Sequence, residues 1–142
     1  MTYLLDTNVV SELRKGRSAN AAVRAWAEGI SADHFWLSVI CLLELETGVL
    51  RMERRDASQG ALLRQWLEQG VVAHFAGRML DVNVAVARRC ASLHVPDPRP
   101  ERDALVAATA LTHGLTVVTR NTADFEPMGV ALLNPWLALS GI

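Results

Sequence analysis

Four widely separated carboxylates, Asp6, Glu44, Asp103 and Asp124, are the residues of this chain best suited to chemistry. Gathered in one place they would repel one another, and their pKa values would rise unless a cation sat among them. Oxygen ligands without His or Cys select Mg²⁺ or Mn²⁺ over softer metals. A cation held that way polarises a phosphoryl oxygen and lowers the pKa of an attacking water, which is the chemistry of phosphodiester hydrolysis; a second cation would also steady the leaving oxygen. Other metal chemistry has little to draw on. Cys41 and Cys90 are far apart, and His34, His74, His94 and His113 are scattered without paired ligand spacings.

Each acid also has an ordinary role open to it. Asp6 can cap the helix that follows it, Asp103 can complement a helix dipole, and Asp124 can serve the turn Asn121-Thr122-Ala123-Asp124. Glu44 is harder to dismiss, because a carboxylate among Leu42, Leu43 and Leu45 is costly if buried and unpaired. Glu46 points nearly opposite on the same helix, so one of the two can face a site while the other is solvated or paired.

The elements that must position these acids follow from apolar periodicity and capping chemistry. Tyr3-Leu4-Leu5 is a short strand, followed by helices over Val9 to Lys15 and Asn20 to Glu28. Phe35-Trp36-Leu37 is a buried strand, and Ser38 caps a helix running to Arg55 with Leu42, Leu45, Val49 and Met52 as its apolar stripe. A helix over Gly60 to Gln69, a strand over Met79 to Val82 and a helix over Val84 to Leu93 come next. After the Pro-rich loop 95–100, a helix spans Glu101 to His113 and is closed by Gly114. Thr116 to Thr119 is a β-branched strand, Asn121 to Gly129 a loop, and Val130 to Leu133 a last strand. Strands alternating with helices predict a three-layer α/β/α sandwich with a mainly parallel sheet, as one domain over residues 1–142. In such a sheet, sites form beyond the carboxyl ends of the strands. Asp6 and the Asn121–Asp124 segment lie there, and Asp103 opens a helix whose apolar body, Ala104 to Leu111, should be buried.

Bulk properties narrow the partners. Fourteen basic residues against fifteen acidic ones remove any global basic field. Only Lys15 among the basic residues is a lysine; the rest are arginines, suited to bidentate phosphate contacts and to stacking on bases, although a GC-rich genome gives the same bias. Arg14, Lys15 and Arg17 near the first helix, Arg51, Arg54 and Arg55 on the long helix, and Arg120 beside the acids are candidate RNA contacts, or simply solvated charges. No signal peptide or bilayer-spanning run is visible, so a reducing cytoplasm and no membrane are expected. With 51% apolar residues, some surface is expected to be covered by a partner. Trp26, Trp36, Trp66 and Trp136 suit a homodimer interface and a groove for a partner segment, but at least two are expected to fill the core.

Four stretches in register carry a family resemblance: Leu4-Leu5-Asp6-Thr7-Asn8; Leu43-Glu44-Leu45 with Gly48; Asp103 to Ala110; and Val118-Thr119-Arg120-Asn121 with Asp124-Phe125. Together with the end from Gly129 to Trp136, they resemble the PIN-domain family and, within it, VapC-type toxins of toxin–antitoxin pairs, in particular the FitB-like branch. The resemblance implies a Mg²⁺-dependent endoribonuclease that arrests growth unless a cognate antitoxin is bound. It also implies that the antitoxin lays a helix or tail across the site and inserts an Arg among the carboxylates. The family's metal-binding Asp falls on Asp6, its Glu on Glu44 and its third acid on Asp103. Many relatives carry an Asp where Asn121 stands; here Asn121 offers a neutral oxygen and Asp124 must supply any charge. That leaves the fourth ligand, and one metal or two, open. Thr7 and Asn8 orient Asp6 or a phosphate, or only cap the helix, and Thr119 can hydrogen-bond the acids. A tRNA or ribosomal RNA loop suits the substrate, since splayed nucleotides expose the phosphate. Receiver domains and haloacid-dehalogenase phosphatases fit poorly, because no late Lys exists and Asn8 breaks Asp-x-Asp. A catalytically idle PIN module, acting through partner binding alone, is the non-enzyme alternative.

Overall fold

In the computed structural model, which describes residues 1–137, short apolar runs form strands and the amphipathic segments between them form helices that cover both faces of one sheet. The strands are β1 (Tyr3–Leu5), β2 (Phe35–Ser38), β3 (Met79–Leu80), β4 (Thr116–Val118) and β5 (Leu132–Leu133). Their order is β3-β2-β1-β4-β5, and every pairing among the described residues is parallel. The chain moves outward from β1 in one direction, then returns to place β4 on the other side. The crevice therefore lies beyond the carboxyl ends of β1 and β4, where the winding reverses.

The sheet is buried on both faces, so successive residues feed opposite cores. Leu4 and Val117 enter one core with Val86, Cys90 and Phe125. Leu5 and Val118 enter the other with Val9, Leu37, Leu45 and Val49. The first face is covered by α5 (Val84–Leu93) and α6 (Glu101–His113), the second by α1 (Thr7–Leu13), α2 (Ala21–Glu28), α3 (Val39–Arg55) and α4 (Ala57–Gln65). This is the expected three-layer arrangement. The four tryptophans are all half-buried against these cores: Trp36 against the first, and Trp26, Trp66 and Trp136 against the second. Trp26 stacks edge-on against Tyr3, with ring centroids 5.2 Å apart.

Caps set several boundaries. The Asn20 side chain accepts from Ala22 and Val23 and starts α2, Ser38 accepts from the Cys41 N–H and starts α3, and Gly114 ends α6 with φ 68°. Other boundaries depart from the sequence expectation. The first helix begins at Thr7, because Asp6 itself caps it. The helix expected from Gly60 begins at Ala57, because Asp56 accepts from the Gln59 N–H. It then widens into a π-helix over Trp66–Val72, where a Cβ at Gly70 would sit 3.0 Å from Trp66 Cδ1. The segment expected as a loop from Asn121 coils into a one-turn helix, α7 (Thr122–Phe125), and a 3₁₀ turn over Glu126–Met128, since Phe125 and Met128 are both drawn into the core. Strands β3 and β5 are each two residues long, shorter than expected. No helix among the described residues is long and apolar enough to cross a membrane.

Two glycines of the α3–α4 pair behave oppositely. At Gly60 a Cβ would meet the Glu53 backbone Cα at 2.5 Å, so the bare glycine is what lets α4 lie against α3. At Gly48, inside α3 and exposed, it would meet nothing within 4 Å. Arg64 locks the same pair by reaching Glu46 at 2.6 Å, Glu53 at 2.9 Å and Glu68 at 3.4 Å. Urea unfolding is expected to show Gly60→Ala destabilised by about 1–3 kcal/mol and Gly48→Ala stabilised by about 0.5–1 kcal/mol. The same sign for both would contradict this packing.

Candidate active site

Asp6 is the residue that emerges from β1 into the crevice, and it is buried, with 8% exposure. Its position is fixed by the sheet, because the Asp6 N–H donates to the Val118 carbonyl of β4 at 2.9 Å. Its Oδ1 accepts from the Thr7 N–H at 2.9 Å, and its Oδ2 accepts from the Thr119 hydroxyl at 2.8 Å and from the Asn8 amide at 3.3 Å. Helix capping and service in an acid cluster thus coexist in one side chain. Burial pushes the Asp6 carboxyl above the usual carboxylate range, and the Glu44 charge adds to the rise; the Thr119, Thr7 and Asn8 hydrogen bonds oppose it.

Thr119 follows β4 and is fully buried. Its hydroxyl donates to Asp6 and accepts from the Asn8 amide at 3.2 Å and from the Asn121 N–H at 3.0 Å. It therefore ties the ends of β1 and β4 together. Thr119→Val would keep the shape, leave the Asn121 N–H without its acceptor and take one of the two donors from Asp6 Oδ2. It is expected to cost about 1–3 kcal/mol in unfolding measurements and, as the support of a ligand, about 10–100-fold in divalent-metal affinity by titration. A variant with full affinity would show that the hydroxyl does not orient Asp6.

Glu44 reaches the site from α3. The Thr7 hydroxyl donates to its Oε1 at 2.7 Å, and Arg102 Nη1 lies 3.7 Å from its Oε2. From the sequence Thr7 could orient Asp6 or a phosphate, or only cap the helix; its backbone serves Asp6, and its hydroxyl holds Glu44. Glu46 faces away and is paired with Arg64. Asp103, in the first turn of α6, is half-buried and accepts no hydrogen bond among the described residues. Its carboxyl is pushed upward by burial, then by the charges of Asp6, Asp124 and Glu44. Asp103 thus lies within electrostatic reach of each of the other three acids. Asp124 sits on α7, exposed, anchored by Phe125 beside it. Asn121 is exposed and makes no side-chain cap hydrogen bond, although its backbone N–H is held by Thr119. Beneath the cluster lies Cys41, buried against Thr7, its thiol pushed up to about 12 by desolvation and by the Asp6 and Glu44 charges.

This donor set fits a hard divalent cation. Asp6 Oδ1 keeps a lone pair beyond its one hydrogen bond, both Asp103 oxygens are free of hydrogen bonds among the described residues, and the acids carry negative charge that Arg102, beside Glu44, offsets in part. A cleft of about 210 Å³ runs from Thr7 and Glu44 past Ser11 and Gly48 to Arg14 and Trp66. Among the basic residues expected at the site, Arg14 lies over the Trp66 ring at 5.6 Å and Arg120 over the Trp136 ring at 5.2 Å, while Lys15 is paired with Glu12 at 3.0 Å. Arg17 and Arg51 are exposed. Arg102 escaped sequence reasoning, although its place beside Asp103 in the first turn of an acid-bearing helix was a signal.

A second cluster lies elsewhere. Cys90, His94 and Glu101, which the sequence reading did not group, bring their ligand atoms within 4.8 Å of one another. The His94 Nδ1 accepts from the Arg99 N–H at 3.0 Å, so the neutral ring carries its proton on Nε2, 3.5 Å from Glu101. In that tautomer Nε2 faces the Cys90 Sγ at 3.8 Å and Glu101 Oε2 at 3.5 Å with a proton, and has no lone pair to offer a metal.

A family model described as PIN domain matches residues 3–129. The chain is 37% identical to Toxin FitB of Neisseria gonorrhoeae over 139 residues, covering 94% of this chain and 97% of the relative. It is 34% identical to VapC ribonuclease Y4jK of Sinorhizobium fredii over 138 residues, covering 94% and 96%. The crystal structure of FitAcB from Neisseria gonorrhoeae superposes with a TM-score of 0.86 at 35% identity, over 95% of this chain and 99% of that one.

Proposed function

The chain belongs to the PIN-domain family, and from that premise we propose that it is a divalent-metal-dependent endoribonuclease, the toxin of a toxin–antitoxin pair, working through Asp6, Glu44, Asp103 and Asp124. The observation that carries this reading is the Asp103 carboxyl, raised by burial and by three other acids, an arrangement that a cation relieves. Mg²⁺ is the proposed ion, and Mn²⁺ can replace it. Asp6 and Asp103 are the proposed ligands, with Asp124 rather than Asn121 supplying the further charge. When bound, the ion polarises the phosphoryl oxygen and acidifies a water. Asp6 is held rigid by Thr119 and Asn8, and Glu44 is aimed by Thr7, so the acids meet a phosphate already oriented.

RNA is the proposed substrate, in keeping with the relative named VapC ribonuclease. A loop of tRNA or ribosomal RNA would present a splayed phosphate to the cleft, which Arg14 lines, with Lys15, Arg17, Arg51 and Arg120 as the further proposed RNA contacts. The proposed inhibitor is a cognate antitoxin, in keeping with the relative named Toxin FitB; its segment would fill the cleft between Glu44 and Trp66 and set an Arg among the acids. A homodimer would cover Leu43 and Leu50, which are exposed one heptad apart on α3. Buried free thiols at Cys41 and Cys90 suit the cytoplasm. Purified protein is expected to cut RNA with Mg²⁺, to stop in EDTA and to recover on adding Mg²⁺ or Mn²⁺. Chelator-resistant cleavage would defeat the metal reading, and no cleavage by correctly folded protein would leave the idle binding module.

A further inference from the structure

Arg120 and Trp136 are joined to the acid cluster by an unbroken set of hydrogen bonds. Asn8 donates its amide to Asp6 Oδ2 and accepts the Arg120 N–H on its Oδ1, at 3.1 Å. Asn134 donates to the Arg120 carbonyl at 3.5 Å and accepts the Trp136 N–H at 3.0 Å. Arg120 directly follows Thr119, whose hydroxyl holds Asp6, so its Cα stands about 3.8 Å from that of Thr119. Its guanidinium lies 5.2 Å from the centroid of the Trp136 ring. Arg120 makes no salt bridge among the described residues and is exposed; its charge is felt by Glu12, one turn of α1 beyond Asn8. The guanidinium is thus within cation–π range of the indole while Arg120 as a whole stays exposed.

We propose that Arg120, backed by Trp136, is a stacking shelf for the nucleobase of the nucleotide next to the scissile phosphate. A planar cation held beside an indole and exposed to solvent can stack on any base, and a single-stranded RNA offers such a base unpaired. The shelf rests on the ribonuclease reading for its substrate and adds the means by which a strand is held in place over the acids. It reads the presence of a base and not its identity, because every base has a π-face.

The test is RNA binding by the full chain in the Asp103→Asn background with EDTA present, where cleavage is suppressed. An oligoadenylate is compared with a fully abasic oligomer of the same length and charge, for Arg120, Arg120→Ala and Arg120→Lys. Arg120→Ala is expected to weaken oligoadenylate binding about tenfold, and Arg120→Lys to regain little of it, because Lys restores charge but no plane. The abasic oligomer is expected to lose much less in both variants. Equal losses on the two oligomers, full rescue by Lys, unchanged affinity in Arg120→Ala, or a lowered Tm with unchanged affinity would each overturn the shelf. Cleavage by the unmodified chain, measured separately with Mg²⁺, tests the ribonuclease reading. A chain that cuts RNA but fails the comparison refutes the shelf alone.

Discussion

Asp103→Asn and Asp6→Asn are both expected to lower RNA cleavage by about 10²–10³-fold or more, while acting differently on the metal-free fold. The Asp103 carboxyl makes no hydrogen bond among the described residues and suffers burial and three neighbouring charges, so an amide there relieves repulsion without breaking a contact. The Asp6 carboxylate accepts three hydrogen bonds, and an amide in its place would turn an NH₂ group toward the donors that now serve it. Tm measured at pH 7 in EDTA should therefore rise for Asp103→Asn and stay level or fall for Asp6→Asn. The pH dependence follows from the direction of the shift. A carboxyl whose pKa is raised on folding adds stability below its unfolded value, about pH 4, and loses it as pH climbs through the raised value. The advantage of Asp103→Asn over the native chain should accordingly shrink to nothing as pH falls toward 4. Saturating Mg²⁺ should raise the native Tm and leave the Asp103→Asn variant nearly unmoved. An Asp103→Asn variant that cuts RNA at the native rate would remove Asp103 from the chemistry.

Phe125→Ala is expected to cost about 3–5 kcal/mol, a large share of the roughly 5–15 kcal/mol that holds a domain of this size together. Phe125 is completely buried and pins the one-turn helix that carries Asp124. Urea titration measures the loss. Cleavage assayed well below the new Tm separates it from a lost acid, because Phe125→Leu should keep most of the stability and restore Asp124 to its place. Phe125→Ala with full activity and little loss of stability would mean that the turn holds Asp124 without its anchor.

Much of this was legible because the signals were local. Asp6 and Thr119 lie just beyond two short apolar strands; the alternation of strands and helices gives those strands a parallel direction, whereas their being neighbours is set by the packing of the sheet. Asp103 was legible from the apolar body of α6, which has to be buried. The partner of the Thr7 hydroxyl was not, because a Thr beside an Asp gives no hint that it will reach 37 residues along the chain to Glu44. The π-helix after Gln65 and the turn at Thr122 were missed for a related reason. Both are set by where Trp66 and Phe125 find room in the core, which no local propensity records. The Cys90, His94 and Glu101 grouping depends on how the Pro-rich loop folds back onto α5, again a matter of packing.

Cys41, packed under the acids with a thiol that stays protonated through the neutral range, is inert where its neighbours are reactive. An alkylating reagent can reach that sulfur only when the packing around it opens. Its rate of labelling is therefore a built-in clock for that opening, one that should slow when a cation draws the carboxylates above it together.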